Sequence, residues 1–341
     1  MKIVIDCFGG DKSPSANVEG AVLALKKYDK MELILTGDEA QIKAELDRCG
    51  YTGNRIEIVH APEIITGDDK PVDAIRLKKE SSMVKAIKLL REDKEIGAVV
   101  STGATGALIG IATVRIGRVR GVRRPAFCPI LPTMTGGIVG ICDSGANIDA
   151  VTAETLVHNA ILGSNYLKAA YGIENPRVAL LNVGTEAHKG DEMRRKAYEY
   201  LKNLDNFNFV GNMESRDLLS GKYDLVVCDA FAGNVLVKTT EGTALFLLKK
   251  LKTDIYSKTV YKLGALLMKK MFAQEKEFFD YQNYGGSVLL GCEKVIVKGH
   301  GSSDAKAVSV CIDQAYRMSN GGMNEAAEEQ LAAFHQQIDQ S

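Results

Sequence analysis

Ten short runs of apolar residues punctuate the chain, at 2–6, 32–37, 55–61, 97–102, 126–131, 137–143, 177–184, 207–212, 224–230 and 294–301. Several are apolar on consecutive positions instead of alternating with polar ones. That pattern belongs to strands covered on both faces, as in parallel sheets. Helix-like stretches lie between many of them, at 15–28, 39–49, 72–93, 103–118, 152–171, 189–203, 235–272 and 303–319. The alternation predicts an α/β fold on a largely parallel sheet with helices on both faces. No repeat, low-complexity tract or Pro/Ser linker divides the 341 residues, so a single large α/β domain is expected over 1–341. Prolines cluster around 125–132, in "RPAFCPILP", which reads as an edge or boundary segment. The last stretch, 322–341, reads as a loosely attached amphipathic helix.

Charge narrows the partners. The net charge is zero, so any charged partner must be met by a local patch, and nothing global favours nucleic acid. Trp is absent and aromatics are few, which counts against a base-stacking surface. The seven cysteines have no C-x-x-C spacing and mostly sit in strand-like runs, as buried thiols of a reducing cytosol do. The opening "MKIVIDCFGG" lacks the apolar core and cleavage site of a signal peptide, and no run approaches the roughly 20 apolar residues of a membrane span. A cytoplasmic protein is expected.

In open parallel sheets ligands bind beyond the carboxyl ends of the strands. Six strand ends here carry small residues with Asp, Asn, Ser, Thr, Lys or His: "CFGGDKSP", "STGATGAL", "DSGAN", "GTEAHKG", "DAFAGN" and "GHGSSD". Turn geometry alone explains any one of them. Six at one pole predict a shared cleft, with Asp6, Gly9, Gly10, Asp11 and Asn147 in its walls and Lys189 pointing in. "STGATGALIG" is the anion candidate: a strand ends, glycines follow and a helix begins, so Ser101, Gly103, Thr105 and Gly106 can hold a phosphate on amides and hydroxyls. Plain helix capping is the competing reading. G-x-G-x-x-G after the first strand, G-x-x-x-x-G-K-[ST], G-x-S-x-G and H-x-x-x-H are all missing. The phosphate is therefore expected to be small, and neither a metal nor a cofactor is expected.

The motifs "DCFGGDKSP" (6–14), "STGATGAL" (101–108), "RGVRRPA" (120–126), "DSGAN" (143–147), "LLNVGTEAHKG" (180–190), "DAFAGNV" (229–235), "YGGSVLLG" (284–291) and "HGSSD" (300–304) resemble, in order, those of the bacterial phosphate acyltransferases. The resemblance covers residues 1 to about 320. It implies an isocitrate/isopropylmalate-dehydrogenase-like fold shared with phosphotransacetylase, a cleft between two lobes, and a homodimer working at the membrane surface beside a downstream glycerol-phosphate acyltransferase. The chain departs from the family pattern at Phe8, Ala104, Ser144 and over Ala230–Asn234.

The implied reaction takes long-chain acyl-ACP and orthophosphate to acyl phosphate and ACP, in phospholipid biosynthesis. Phosphate near neutrality is already nucleophilic, and the leaving thiolate, with an ordinary pKa near 8.5, needs little protonation. Positioning and oxyanion donors are what the protein must supply. The expected roles are Lys189 neutralising phosphate or oxyanion, Asn234 donating its amide, Asp229 orienting Lys189 or Asn234, and His300 delivering a proton to sulfur.

Two further stretches concern partners. "RIGRVRGVRR" packs arginines without an acid, and Arg118, Arg120, Arg123 and Arg124 are expected to dock the acidic acyl carrier protein, against a reading as a plain solvated face. Residues 241–272 read as a protruding basic amphipathic helical pair, broken near 253–257 or at Gly264. Leu263, Leu266, Leu267, Met268 and Met271 there suit a membrane surface or a dimer interface. Two alternatives stay open: a short-chain phosphotransacetylase using acyl-CoA, and a non-catalytic membrane-docked scaffold.

Overall fold

The computed structural model describes residues 1–148, 151–278 and 280–339. Its strands are β1 (Lys2–Asp6), β2 (Glu32–Gly37), β3 (Ile56–His60), β4 (Ile96–Ser101), β5 (Ala126–Cys128), β6 (Ile130–Pro132), β7 (Ile138–Cys142), β8 (Val178–Leu181), β9 (Phe209–Met213), β10 (Leu225–Val227), β11 (Ser287–Leu290) and β12 (Val295–Lys298). They form two sheets, ordered β3-β2-β1-β4-β12-β11-β5 and β6-β7-β10-β8-β9. All pairings are parallel except β11 with β12 and β5, and β6 with β7. The helices are α1 (Ser15–Leu25), α2 (Glu39–Arg48), α3 (Pro71–Leu77), α4 (Ser82–Glu92), α5 (Thr105–Arg115), α6 (Ala153–Tyr171), α7 (Glu192–Lys202), α8 (Ala230–Ser257), α9 (Thr259–Leu267), α10 (Lys269–Phe278), α11 (Ala305–Ser319) and α12 (Met323–Asp339).

The unalternating runs have a direct cause. Ile3 and Ile5 join the core that also holds residues of α1 and α11. Val4, between them, joins the opposite core with residues of α4 and α5. Every position of such a strand is covered, so every position is apolar. Helix α6 is buried on nearly all sides and belongs to the same core cluster as residues from both sheets. Its entry is fixed by a Thr152–Thr155 capping box.

Four details differ from expectation. The run 126–131 is not one strand: Pro129 has no amide hydrogen to continue a ladder, and the chain leaves the edge of one sheet at β5 to enter the edge of the other at β6. The boundary reading of 125–132 fits this crossing. The stretch 72–93 is two helices, α3 and α4, and β11 forms from "SVLL", too short to read beside its glycines. Finally, α12 is not loosely attached: Ala327, Leu331 and Phe334 are fully buried, many of their neighbours lying on α6. Residues 340 and 341 of the expected 322–341 helix lie outside the described residues.

Beyond the sheets, α8, α9 and α10 project with most of their side chains exposed. The chain breaks at Lys258, whose backbone is extended, while Gly264 lies inside α9. Six of the seven cysteines are buried thiols, Cys49 being half-buried. No described helix is long and apolar enough to cross a membrane.

Candidate active site

The carboxyl ends of the two sheets open on a common cleft of about 380 Å³. Thr105, Lys298, Gly299 and His300 line it from the first sheet, and Ser144, Gly145 and Asn234 from the second. An apolar wall of Phe127, Pro129, Ile130, Leu131 and Val237 completes it, with Lys238 and Glu241 at the α8 side. A larger concavity, about 480 Å³, lies at the opposite edge. Glu95, Glu293, Glu325 and Glu328 against Lys94 and Lys294 make that one unsuited to an anion.

Asp143 builds the second wall. Its carboxylate accepts from the backbone N–H groups of Phe127, Gly145, Ala146 and Asn147, each at 2.9 Å. One side chain thus shapes the whole "DSGAN" turn and ties it to β5. Burial raises its pKa, against the pull of those four donors. Gly145 has a φ of +137°, and a Cβ there would sit 3.0 Å from Asn234 Nδ2. Gly233 lets α8 approach even more closely: a Cβ on it would lie 2.0 Å from the Asp143 carbonyl oxygen. Asn234 Nδ2 donates to the Ser144 carbonyl at 3.1 Å. Its second amide hydrogen is left for a ligand.

Asp6, Gly9, Gly10, Asp11 and Asn147, expected in the cleft walls, are not among the residues that line it; the strand end and loop carrying the first four interlock with the loops that do. The Asp11 N–H donates to the Gly301 carbonyl at 2.8 Å, and a Cβ on Gly9 would touch Gly103 Cα at 3.0 Å. A Cβ on Gly10 would lie 2.5 Å from Thr102 Oγ1. Asp6, Ser101 and Lys298 stand side by side in register at the strand ends. Ser101 Oγ donates to Asp6 Oδ2 at 2.6 Å, and the Gly103 N–H donates to Ser101 Oγ at 3.1 Å. The Ser101 hydroxyl and Gly103 amide, expected to face phosphate, are therefore engaged within the loop. Burial lifts Asp6 to about 6, opposed by bonds from Ser101 and Ser82. What remains open is the start of α5. Its N-cap is Ala104, which has no side chain to cap with, so the first-turn amides at Thr105 and Gly106 keep their orphan character.

Other expected residues lie elsewhere. Asp229 orients neither Lys189 nor Asn234: Oδ1 accepts from the Ala232 N–H at 2.9 Å, capping α8, and Oδ2 pairs with Arg194. Lys189 is exposed on the β8–α7 loop, outside the cleft lining. Its backbone carbonyl accepts from Asn182 at 3.0 Å, and β10 lies between β8, which leads into this loop, and β7, which leads into the Asp143 turn. Asn147 is buried with its Nδ2 unpartnered. His300 does line the cleft; loss of water and the nearby Lys298 lower its pKa, so near neutrality it is mostly uncharged and a poor proton source. Arg118, Arg120, Arg123 and Arg124 are exposed at the other edge of the first sheet. Val119 bonds Gly291 in the turn before β12, so the length of that strand separates the arginines from the cleft. The described residues contain no group of three side chains suited to a metal.

Lys298 is the residue that sequence reading missed. It ends a strand of otherwise apolar residues, the same signal that marked the other loops. Read from sequence, the loop starts at Gly299, which leaves Lys298 inside the strand.

Comparison with known proteins gives the fold and the family. The family model described as "Fatty acid synthesis protein" matches residues 1–326. A "Phosphate acyltransferase" of Clostridioides difficile (strain 630) is 42% identical over 337 residues, 99% of this chain and 98% of that protein. One of Clostridium botulinum (strain ATCC 19397 / Type A) is 45% identical over 315 residues, 92% of this chain and 93% of its own. Among solved structures, a phosphotransacetylase from Streptococcus pyogenes aligns with a TM-score of 0.61 at 18% identity, covering 94% of each chain. The EutD phosphotransacetylase from Staphylococcus aureus gives 0.58 at 14%, covering 96% of this chain and 94% of that one. The fold is thus the one the phosphotransacetylases share, and the protein is an acyltransferase. Within that class, the chain belongs to the phosphate acyltransferase family.

Proposed function

We propose that the cleft transfers a long acyl group from an acyl carrier protein thioester to orthophosphate, releasing acyl phosphate and the free carrier thiol. The observation that carries this reading is the pairing of an uncapped helix start with an apolar wall across one cleft. The α5 terminus and Thr105 suit a small anion, and Phe127, Pro129, Ile130, Leu131 and Val237 suit an aliphatic chain. Orthophosphate attacks the thioester carbonyl carbon. The Asn234 amide, held by Ser144, donates to the developing oxyanion. The thiolate leaves with little need of an acid.

Lys238, at the rim, supplies positive charge toward an acidic donor. Leu263, Leu266, Leu267, Met268 and Met271, all exposed or nearly so on the projecting helices among lysines, support peripheral contact with an anionic bilayer or a second copy of the chain. A homodimer at the membrane would hand its labile product to a glycerol-phosphate acyltransferase.

The test is incubation with palmitoyl-ACP and labelled orthophosphate, with acetyl-CoA in parallel. Labelled, hydroxylamine-sensitive acyl phosphate from palmitoyl-ACP is expected. Product from acetyl-CoA alone would support the second reading, a short-chain phosphotransacetylase, which the shared fold favours. Product from neither would leave the scaffold reading.

A further inference from the structure

Lys298 is nine-tenths buried, yet no carboxylate among the described residues forms an ion pair with it within 4 Å. Its Nζ donates to the Thr102 carbonyl at 3.4 Å and to the Gly299 carbonyl. An ammonium has three hydrogens, so one is unassigned. The side chain lines the cleft, sharing that lining with Thr105, Ser144, Gly145 and Asn234. Burying an ammonium without a counter-ion costs several kcal/mol, which a lowered pKa, hydrogen bonds or an anionic ligand can offset.

The groups around it do not supply that charge. Asp6, at the end of β1, is occupied by Ser101, Ser82 and the Phe8 N–H, and it reaches Lys298 only through its field. Asp11, in the loop after β1, likewise acts on it only through its field. From α11, Cys311 faces it as a buried thiol whose own pKa is pushed up to about 12, so it is neutral. His300, one residue beyond Gly299, is mostly uncharged near pH 7. The open site beside Lys298 is bordered by the uncapped start of α5. An ammonium and orphan amides converging on one small cavity select a compact anion.

We propose that Lys298 is the cation that binds the attacking orthophosphate, holding it on the cleft floor between the start of α5 and Asn234, and that Lys189 is not. The assignment rests on the acyltransfer reading of the same cleft. It names the residue that gives the nucleophile its place. Burial lowers the Lys298 pKa to about 8, so the site is charged at neutral pH and loses its charge just above it.

The experiment uses the full chain and the variants Lys298→Met and Lys298→Arg. Methionine matches the length of the lysine stem and removes a buried charge, so this variant is expected to fold with an unchanged or higher Tm. Loss of one charge-assisted contact should raise the KM for orthophosphate about 10- to 100-fold. The KM for the acyl donor should stay within about threefold, a split that a merely structural role would not produce. Arginine should recover part of the phosphate affinity. For the native chain the phosphate KM should climb about tenfold per pH unit above pH 8, and in Lys298→Met it should stay flat. Orthophosphate should raise the native Tm in the absence of any donor and leave Lys298→Met unmoved. That thermal measurement needs no turnover, so it separates failure of this assignment from failure of the acyltransfer reading. A Lys298→Met protein with native phosphate KM and a native phosphate-dependent Tm shift would overturn the proposal.

Discussion

Asn234 Nδ2 donates to the carbonyl of Ser144 at 3.1 Å, joining the first turn of α8 to the turn after β7. Ninety residues of chain separate the two. The bond fixes which amide hydrogen is spent and which faces the cleft. Asn234→Ala should lower kcat for acyl phosphate formation by about 100-fold, the usual effect of one lost oxyanion donor. Asn234→Asp should do no better, because a carboxylate would meet the Ser144 carbonyl without a hydrogen. Native kcat in either variant would remove Asn234 from the site.

The packing of α8 against Asp143 makes a paired stability prediction. Gly233→Ala places a Cβ 2.0 Å from a backbone oxygen and 2.8 Å from Cys228 Sγ, neither of which can swing away. It should destabilise by about 3 kcal/mol or more. Gly242→Ala, in the same helix with nothing within 4 Å of its Cβ, should stabilise by up to about 1 kcal/mol. Chemical denaturation of both variants checks the contrast. Equal effects would mean that the close approach of α8 to Asp143 is absent.

Helix α12 is pinned to α6 by His158, whose Nε2 lies 3.0 Å from Nε2 of His335. Burial, then His335 and Arg123, pull the His158 pKa down to about 4. The folded state therefore binds fewer protons than the unfolded state between pH 4 and the ordinary histidine value near 6.5. Its contribution is fully present above that value and fades as pH falls toward 4, by up to about 3 kcal/mol. Asp6 works in the other direction: raised to about 6, its folded form holds its proton more tightly, which favours folding below pH 4 and loses that advantage by pH 6. Subtracting the pH–stability curve of His158→Gln from that of the native chain isolates the histidine. A flat difference between pH 4 and 6.5 would show that His158 is not buried against α12.

Charge reversal distinguishes the rim from the arginine strip. Lys238→Glu, at the cleft, should raise the KM for acyl-ACP several-fold and flatten its salt dependence. Arg120→Glu with Arg123→Glu should change neither by more than about twofold, since the strip faces away from the cleft of its own chain. A larger effect at the arginines would mean that the carrier docks there and reaches the cleft of a second copy.

Much of the fold was legible because consecutive apolar residues such as Ile3, Val4 and Ile5 have one physical explanation, a strand covered on both sides. The loops were legible for a similar reason. Glycine and asparagine after such strands mark a ligand edge, and Thr105, Asn234 and His300 do line the cleft. The break in the projecting helices was legible only approximately, read near 253–257 or at Gly264 and found at Lys258.

What local sequence determined by itself was the order of strands and helices, and the residue types gathered at their carboxyl ends. Tertiary structure alone decided which of those residues meet. The prolines of 125–132 marked a boundary locally, but which sheet edges β5 and β6 then join is set by their pairing with β11 and β7. Asp229 is held by Arg194, and the Ser101 hydroxyl by Asp6, through contacts between residues far apart in the chain. Lys298 carried a sequence signal at its strand end, but its burial beside Ser101 and Cys311 without an ion pair came only with the packing of β4 and α11 around it. Hydrogen bonds and desolvation depend on distance in space, and sequence fixes distance only along the chain.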